Sequence, residues 1–225
     1  MSRVLEDVRA ALGSDTQARR EEVAAWLARQ KPGPLPAPAK AAAENVFEHF
    51  SARARGATCT IDVVGAARDI SGSLGATLST WRVPRRLVAA PEPILRSWLA
   101  PGVEFETRFG EPTPDDAVGV VLTVAAVAET GTLVLRSSQY SPTALAFLPD
   151  YLVAILPRSR IVATYEAGLD RVLNNDAAER NDVADRMPRC INFVTGPSRT
   201  ADIEEILLLG AHGPRTVHIL VIEDQ

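Results

Sequence analysis

Four prolines at alternate positions, Pro32, Pro34, Pro36 and Pro38, divide this sequence more firmly than any other feature. Each fixes φ and removes a backbone donor, so KPGPLPAPAK reads as an extended linker, neither helix nor central strand. Before it, Val4, Leu5, Val8 and Leu12, then Val23, Trp26 and Leu27, recur at steps of three and four. That spacing is helical, and Gly13-Ser14-Asp15 supplies a stop and a new N-cap between the two sets. Residues 1–38 therefore read as a helical arm with its linker, suited to assembly, and residues 39–225 as the main domain.

Within that domain short apolar runs alternate with helical patterns. A helix is predicted over 41–55, a strand over 58–64, and a glycine-interrupted helix over 66–78. A strand over 86–90, a short helix over 93–99 and a strand over 103–107 follow. The central DDAVGVVLTVAAVAETGTLVLRSS predicts two buried strands split by a tight turn at 129–132. A helical turn over 142–148, a strand over 151–156, a helix over 164–185, and strands over 191–194 and 217–222 complete the series. Alternation of this kind predicts an α/β fold, a mostly parallel sheet with helices on both faces.

Composition removes several function classes. With 24 basic against 28 acidic residues the net charge is −4, which leaves no electrostatic case for a nucleic-acid or anionic-membrane partner. The two cysteines, Cys59 and Cys190, form no Cys-x-x-Cys pair, so this chain offers neither an iron–sulfur nor a zinc site. Three scattered histidines spell no metal spacing, and no cofactor is expected. The charged N-terminus does not read as a signal, and the apolar run 117–128 falls short of the roughly 20 residues that span a bilayer. A cytoplasmic protein with free, buried, inert thiols is expected.

Three glycine-bounded segments are the candidates for chemistry. In the first, a strand ends at Thr195, Gly196-Pro197 turns the chain, and Ser198, Arg199, Thr200 and Asp202 follow. A helix starting there would present free N–H groups beside Arg199, an anion site; the plainer alternative is a capped helix with Arg199 paired locally. In the second, Glu129-Thr130-Gly131-Thr132 places a carboxylate at a strand end, where burial would suit it to act as base or nucleophile. Its alternative is a solvated turn. In the third, His212 stands among Gly210, Gly213 and Pro214, placed for proton transfer or anion contact or, more simply, for a backbone bond. His49 reads as rim and His218 as structural. The glycines at 65, 72 and 75 do not make a G-x-G-x-x-G phosphate loop.

AETGTLVL (128–135), GPSRTADIE (196–204) and LGAHGPRTVHILV (209–221) together resemble the LUD-domain family, and within it the lactate utilization protein C group. The resemblance runs from about residue 39 to the end, with Val83-Pro84-Arg85 fitting an earlier family segment. It implies a fold similar to the NagB/RpiA/CoA-transferase-like group. It also implies an accessory or substrate-handling role in bacterial oxidation of L-lactate to pyruvate, with the iron–sulfur clusters on partner proteins. The three glycine-bounded loops together make the candidate ligand site, an anion pocket of Thr130, Gly131, Thr132, Gly196, Ser198, Arg199, Thr200, Asp202 and His212. Ala128-Glu129-Thr130-Gly131 is superficially similar to the Ser-Glu-Asn-Gly phrase of some CoA transferases, which makes Glu129 a candidate nucleophile by fold analogy alone. Two other readings stand beside this one. The chain could be a stand-alone transferase or isomerase for a phosphorylated or CoA-linked substrate, or a scaffold whose arm docks partners.

Overall fold

A computed structural model of the chain describes residues 3–13, 17–29, 33–34, 36–99, 105–174, 188–200 and 208–223. It divides into two units, 1–35 and 36–225. The first carries helices α1 (Arg3–Leu12) and α2 (Gln17–Ala28). The second carries, in order, α3 (Ala37–Glu44), α4 (Val46–Gly56), β1 (Thr60–Val64), α5 (Ile70–Trp81), β2 (Arg86–Ala89), α6 (Pro93–Trp98), β3 (Glu106–Phe109) and β4 (Val118–Leu122). It continues with β5 (Ala125–Val127), β6 (Thr132–Arg136), β7 (Tyr151–Pro157), β8 (Ile161–Val162), α7 (Tyr165–Asn174), β9 (Ile191–Val194), β10 (Arg199–Thr200), β11 (Leu208–Leu209) and β12 (Thr216–Ile222). No helix among the described residues is long and apolar enough to cross a membrane.

The main sheet has six strands in the order β1-β12-β7-β4-β2-β3, every neighbour parallel. Its centre is buried along its whole length, as the unbroken apolar runs of β4 and β7 require of a parallel sheet covered by helices. Leu152, Ile155, Leu156 and Ile219 are fully buried, each contributing about 2 kcal/mol of transfer free energy. A second sheet, β8-β5-β6-β9, is built on antiparallel β5–β6 and β6–β9 pairs with β8 parallel to β5.

Four local differences from the sequence reading have physical causes. The helix α3 begins inside the proline run: Pro36 is its N-cap and Pro38 sits in the first turn, where no intrahelical donor is needed. The helix predicted over 41–55 breaks at Asn45, whose side chain accepts from the Glu48 N–H (3.4 Å) and starts α4 afresh. The apolar run before Glu129 is two strands, because the chain leaves the main sheet at Thr123 and enters the second as β5. The strand predicted at 103–107 lies instead at Glu106–Phe109, in register with β2 through Arg86 and Glu106. The helix predicted over 164–185 is observed as α7, and 175–187 lie outside the described residues.

Candidate functional site

The three predicted loops do meet, and their described polar groups engage one another. Thr132 is fully buried, and its Oγ1 lies 2.7 Å from Thr130 Oγ1, 2.7 Å from Thr195 Oγ1 and 3.0 Å from the Tyr165 hydroxyl. Glu129 accepts the backbone N–H of Tyr165 (3.2 Å), so its carboxylate sits at the first turn of α7, a favourable place for a negative group. The first and third loops are joined through Ser198, whose hydroxyl accepts the His212 N–H (3.1 Å) and whose carbonyl accepts the Gly210 N–H (3.0 Å).

The first loop does not start a helix at Ser198. Arg199 and Thr200 form strand β10, antiparallel to β11, because the apolar Leu208-Leu209 supplies a pairing edge. The helix start that argued for an anion site there is therefore not formed at 199–200. Arg199 reaches the other way, donating to the Ala57 carbonyl (2.9 Å) and to the Thr58 hydroxyl. Asp202 lies outside the described residues.

Two glycines fix how closely these loops approach α4. Gly131 has φ +71°, and a Cβ there would stand 2.3 Å from Ala54 N. Gly196 has φ +80°, and a Cβ there would stand 2.3 Å from Ala57 O. Only a residue without a side chain fits either position. Cys59, next along the chain from this contact, is buried, and burial pushes its thiol up to about 11 against the smaller opposing effects of the Gly196 backbone N–H and Arg199. Cys190 differs from expectation in being only half-buried, with its Sγ 3.2 Å from Asn192 Oδ1.

Among the described residues, one place with room for a ligand lies away from these loops. A cavity of about 580 Å³ opens beyond the carboxyl ends of β2, β4 and β7. Glu92 and Ile94 line it after β2, Leu122 and Val124 at the exit of β4, Arg136 and Tyr140 after β6, and Arg160 after β7. Ligands of open α/β sheets collect at this end of the strands. Arg160 is held there by a short 3-10 turn (Arg158–Arg160) and by its own bond to the Thr123 carbonyl (2.6 Å). Arg136 is the last residue of β6, in register with Ile191 of β9. Arg136 and Arg160 thus line one half-open cleft, permanently charged side chains of the kind that recognises carboxylate or phosphate oxygens.

None of these cleft residues is among the sequence-predicted site residues. A signal was present: Arg136, Arg160 and Glu92 each follow an apolar strand by at most a few positions, in LVLR, AILPRSR and RLVAAPE. Polar residues just past the carboxyl end of a buried parallel strand are where such a sheet puts its chemistry.

Comparison with known proteins agrees with this architecture. The family model for the LUD domain matches residues 116–222, a segment that includes Arg136 and Arg160. A lactate utilization protein C from Halalkalibacterium halodurans is 36% identical over 118 residues, covering 52% of this chain and 49% of that one. One from Bacillus subtilis is 38% identical over 139 residues, covering 59% and 56%. The chain thus spans about half the length of the curated relatives it matches. The crystal structure of a DUF162 family protein from Deinococcus radiodurans superposes with a TM-score of 0.56 at 21% identity, over 80% of this chain and 97% of that one, a likeness of fold.

Proposed function

Because residues 116–222 match the LUD-domain family model, we propose that this protein is an accessory or substrate-handling component of a lactate-to-pyruvate oxidation system, working in the cytoplasm. Its relatives bear the name lactate utilization protein C. The single observation that carries the reading is the convergence of Arg136 and Arg160 on one cleft at the carboxyl ends of the parallel strands. A 2-hydroxy carboxylate would dock its carboxylate on those guanidiniums, with Glu92 placed to accept from its hydroxyl.

Turning lactate into pyruvate removes two electrons and two protons. The two cysteines of this sequence lie ahead of different strands, Cys59 before β1 and Cys190 before β9, and do not supply the four thiolates a cluster needs. The electrons would therefore pass to iron–sulfur centres on partner proteins. The loops around Thr132 and Ser198 serve, in this reading, to brace the domain.

Deletion of the gene tests this. The deleted strain should fail to grow on L-lactate as sole carbon source, keep growing on pyruvate, and recover when the wild-type gene is restored. Undiminished growth on lactate would overturn the proposal.

A further inference from the structure

Helix α4 ends in a way that asks for glycine and receives threonine. Ala57 caps it and Thr58 follows at φ +68°. The Thr58 and Cys59 N–H groups close back on the Arg55 (2.8 Å) and Ala54 (2.9 Å) carbonyls. That pattern needs a left-handed residue just past the cap, where glycine is usual because a branched Cβ crowds the backbone. A β-branched residue persists in such a conformation only where its surroundings hold it. Arg199 holds it, donating to the Thr58 hydroxyl and to the Ala57 carbonyl (2.9 Å). Glycine at 58 would relieve the backbone and offer Arg199 no hydroxyl.

We propose that Arg199 and Thr58 form a latch, which holds the turn at 196–198 down on the end of α4 and closes it over Cys59. The latch stands apart from the cleft and does not depend on the lactate reading. Gly196 is its contact point, buried and so near Ala57 that a Cβ would stand 2.3 Å from the Ala57 carbonyl oxygen. The Gly196 N–H meets the sulfur of Cys59, which is 5% exposed. Ser198 extends the latch to the third loop. Its N–H donates to the Pro214 carbonyl (2.8 Å), its hydroxyl accepts the His212 N–H (3.1 Å) and its carbonyl accepts the Gly210 N–H (3.0 Å). Lifting the turn therefore carries 210–214 with it as one hydrogen-bonded body. Backbone strain at Thr58 favours release and the charge-assisted bonds of Arg199 favour closure, the opposed tendencies that a two-state element needs.

Labelling of Cys59 by a thiol-specific disulfide reagent, in the full chain carrying Cys190→Ser, tests this. Thr58→Val keeps the branch and the strain but removes the hydroxyl, and should speed labelling by about fivefold. Arg199→Met removes both bonds and should speed it by about tenfold or more. The double variant should label no faster than Arg199→Met alone, because the two residues act through one contact. Thr58→Asn tolerates the left-handed conformation and keeps an acceptor oxygen, so it should slow labelling. Amide exchange at Gly210 and His212 should not change in Arg199→Met, since their bonds to Ser198 travel with the turn. Labelling at the parent rate in Thr58→Val and Arg199→Met overturns the latch, and additive effects in the double variant overturn the pairing of the two residues. Exchange at Gly210 that quickens in step with Cys59 labelling means the loops unravel, and overturns their movement as one body.

Discussion

Thr132 and Thr195 hold their Oγ1 atoms 2.7 Å apart, joining the turn that opens β6 to the loop that leaves β9 across 63 positions of sequence. Thr132 also meets the hydroxyls of Thr130 and Tyr165, so one buried oxygen serves three others. Segments that read in the sequence as anion-binding vocabulary are in the fold a set of mutual hydrogen bonds. Polar residues near glycines are needed for either purpose, and only the partners distinguish them.

The first expectation concerns that oxygen. Thr132→Val keeps the shape and removes the shared partner, leaving Thr130, Tyr165 and Thr195 each short of a bond. It should destabilise the domain by about 1–3 kcal/mol, whereas Thr195→Ala, at an exposed position, should lower stability by less than about 1 kcal/mol. Urea denaturation should show a lower midpoint for Thr132→Val with unchanged slope. Equal midpoints for the two variants would refute the shared-oxygen account.

The glycine contacts give a sharper contrast. Gly131→Ala and Gly196→Ala each force a Cβ to 2.3 Å from backbone atoms at positive φ. Each should lower stability by about 2–5 kcal/mol, combining strain with overpacking. Gly72→Ala, exposed in α5 with nothing within 4 Å of its Cβ, should instead raise stability by about 0.5–1 kcal/mol. Thermal melts of the three variants suffice, and a stabilised Gly131→Ala would show that the turn does not press on α4.

Much of the scaffold was legible because it rests on local patterns. The runs of β4 and β7 are apolar without interruption, and only a strand buried on both faces tolerates that. The exit from the main sheet at Thr123 was not legible, since the apolar run continues through it and the change of sheet is set by pairing with β6 and β8. The strand at Arg199–Thr200 is likewise set by its pairing, with Leu208–Leu209, while local chemistry there favours a helix cap. The cleft residues are single side chains in unlike segments: the parallel order of β2, β4 and β7 places Glu92 and Arg160, and Arg136 comes from β6 of the second sheet.

The thiols should separate by reactivity. Burial and the raised thiol of Cys59, to about 11, leave almost no thiolate at neutral pH, while Cys190 is half-buried. Titration of the native protein with a thiol-specific disulfide reagent should modify Cys190 first, with Cys59 reacting at least about a hundredfold more slowly and both reacting at once in denaturant. Equal native rates would mean that the contact between Gly196 and Ala57 opens readily.

His218 supplies the pH dependence. Its ring lies in β12, only 3% exposed, with Nδ1 2.8 Å from Thr60 Oγ1, Nε2 without a hydrogen bond and Trp81 edge-on at 5.9 Å. Burial disfavours the imidazolium and lowers its pKa below the ordinary 6.5, and the opposing pull of Asp62, 3.8 Å from Nε2 and largely in solvent, is too weak to reverse this. The folded protein therefore binds fewer protons than the unfolded chain just below that value. The stability contributed by the neutral ring is whole above about pH 6.5, declines as pH falls through the unfolded value, and levels off below the depressed folded value. Denaturation midpoints should fall between about pH 7.5 and pH 5 more steeply for the wild type than for His218→Gln, which keeps an amide for Thr60 and has nothing to titrate. Parallel curves for the two proteins would show that the ring takes up its proton as easily inside the sheet as outside it.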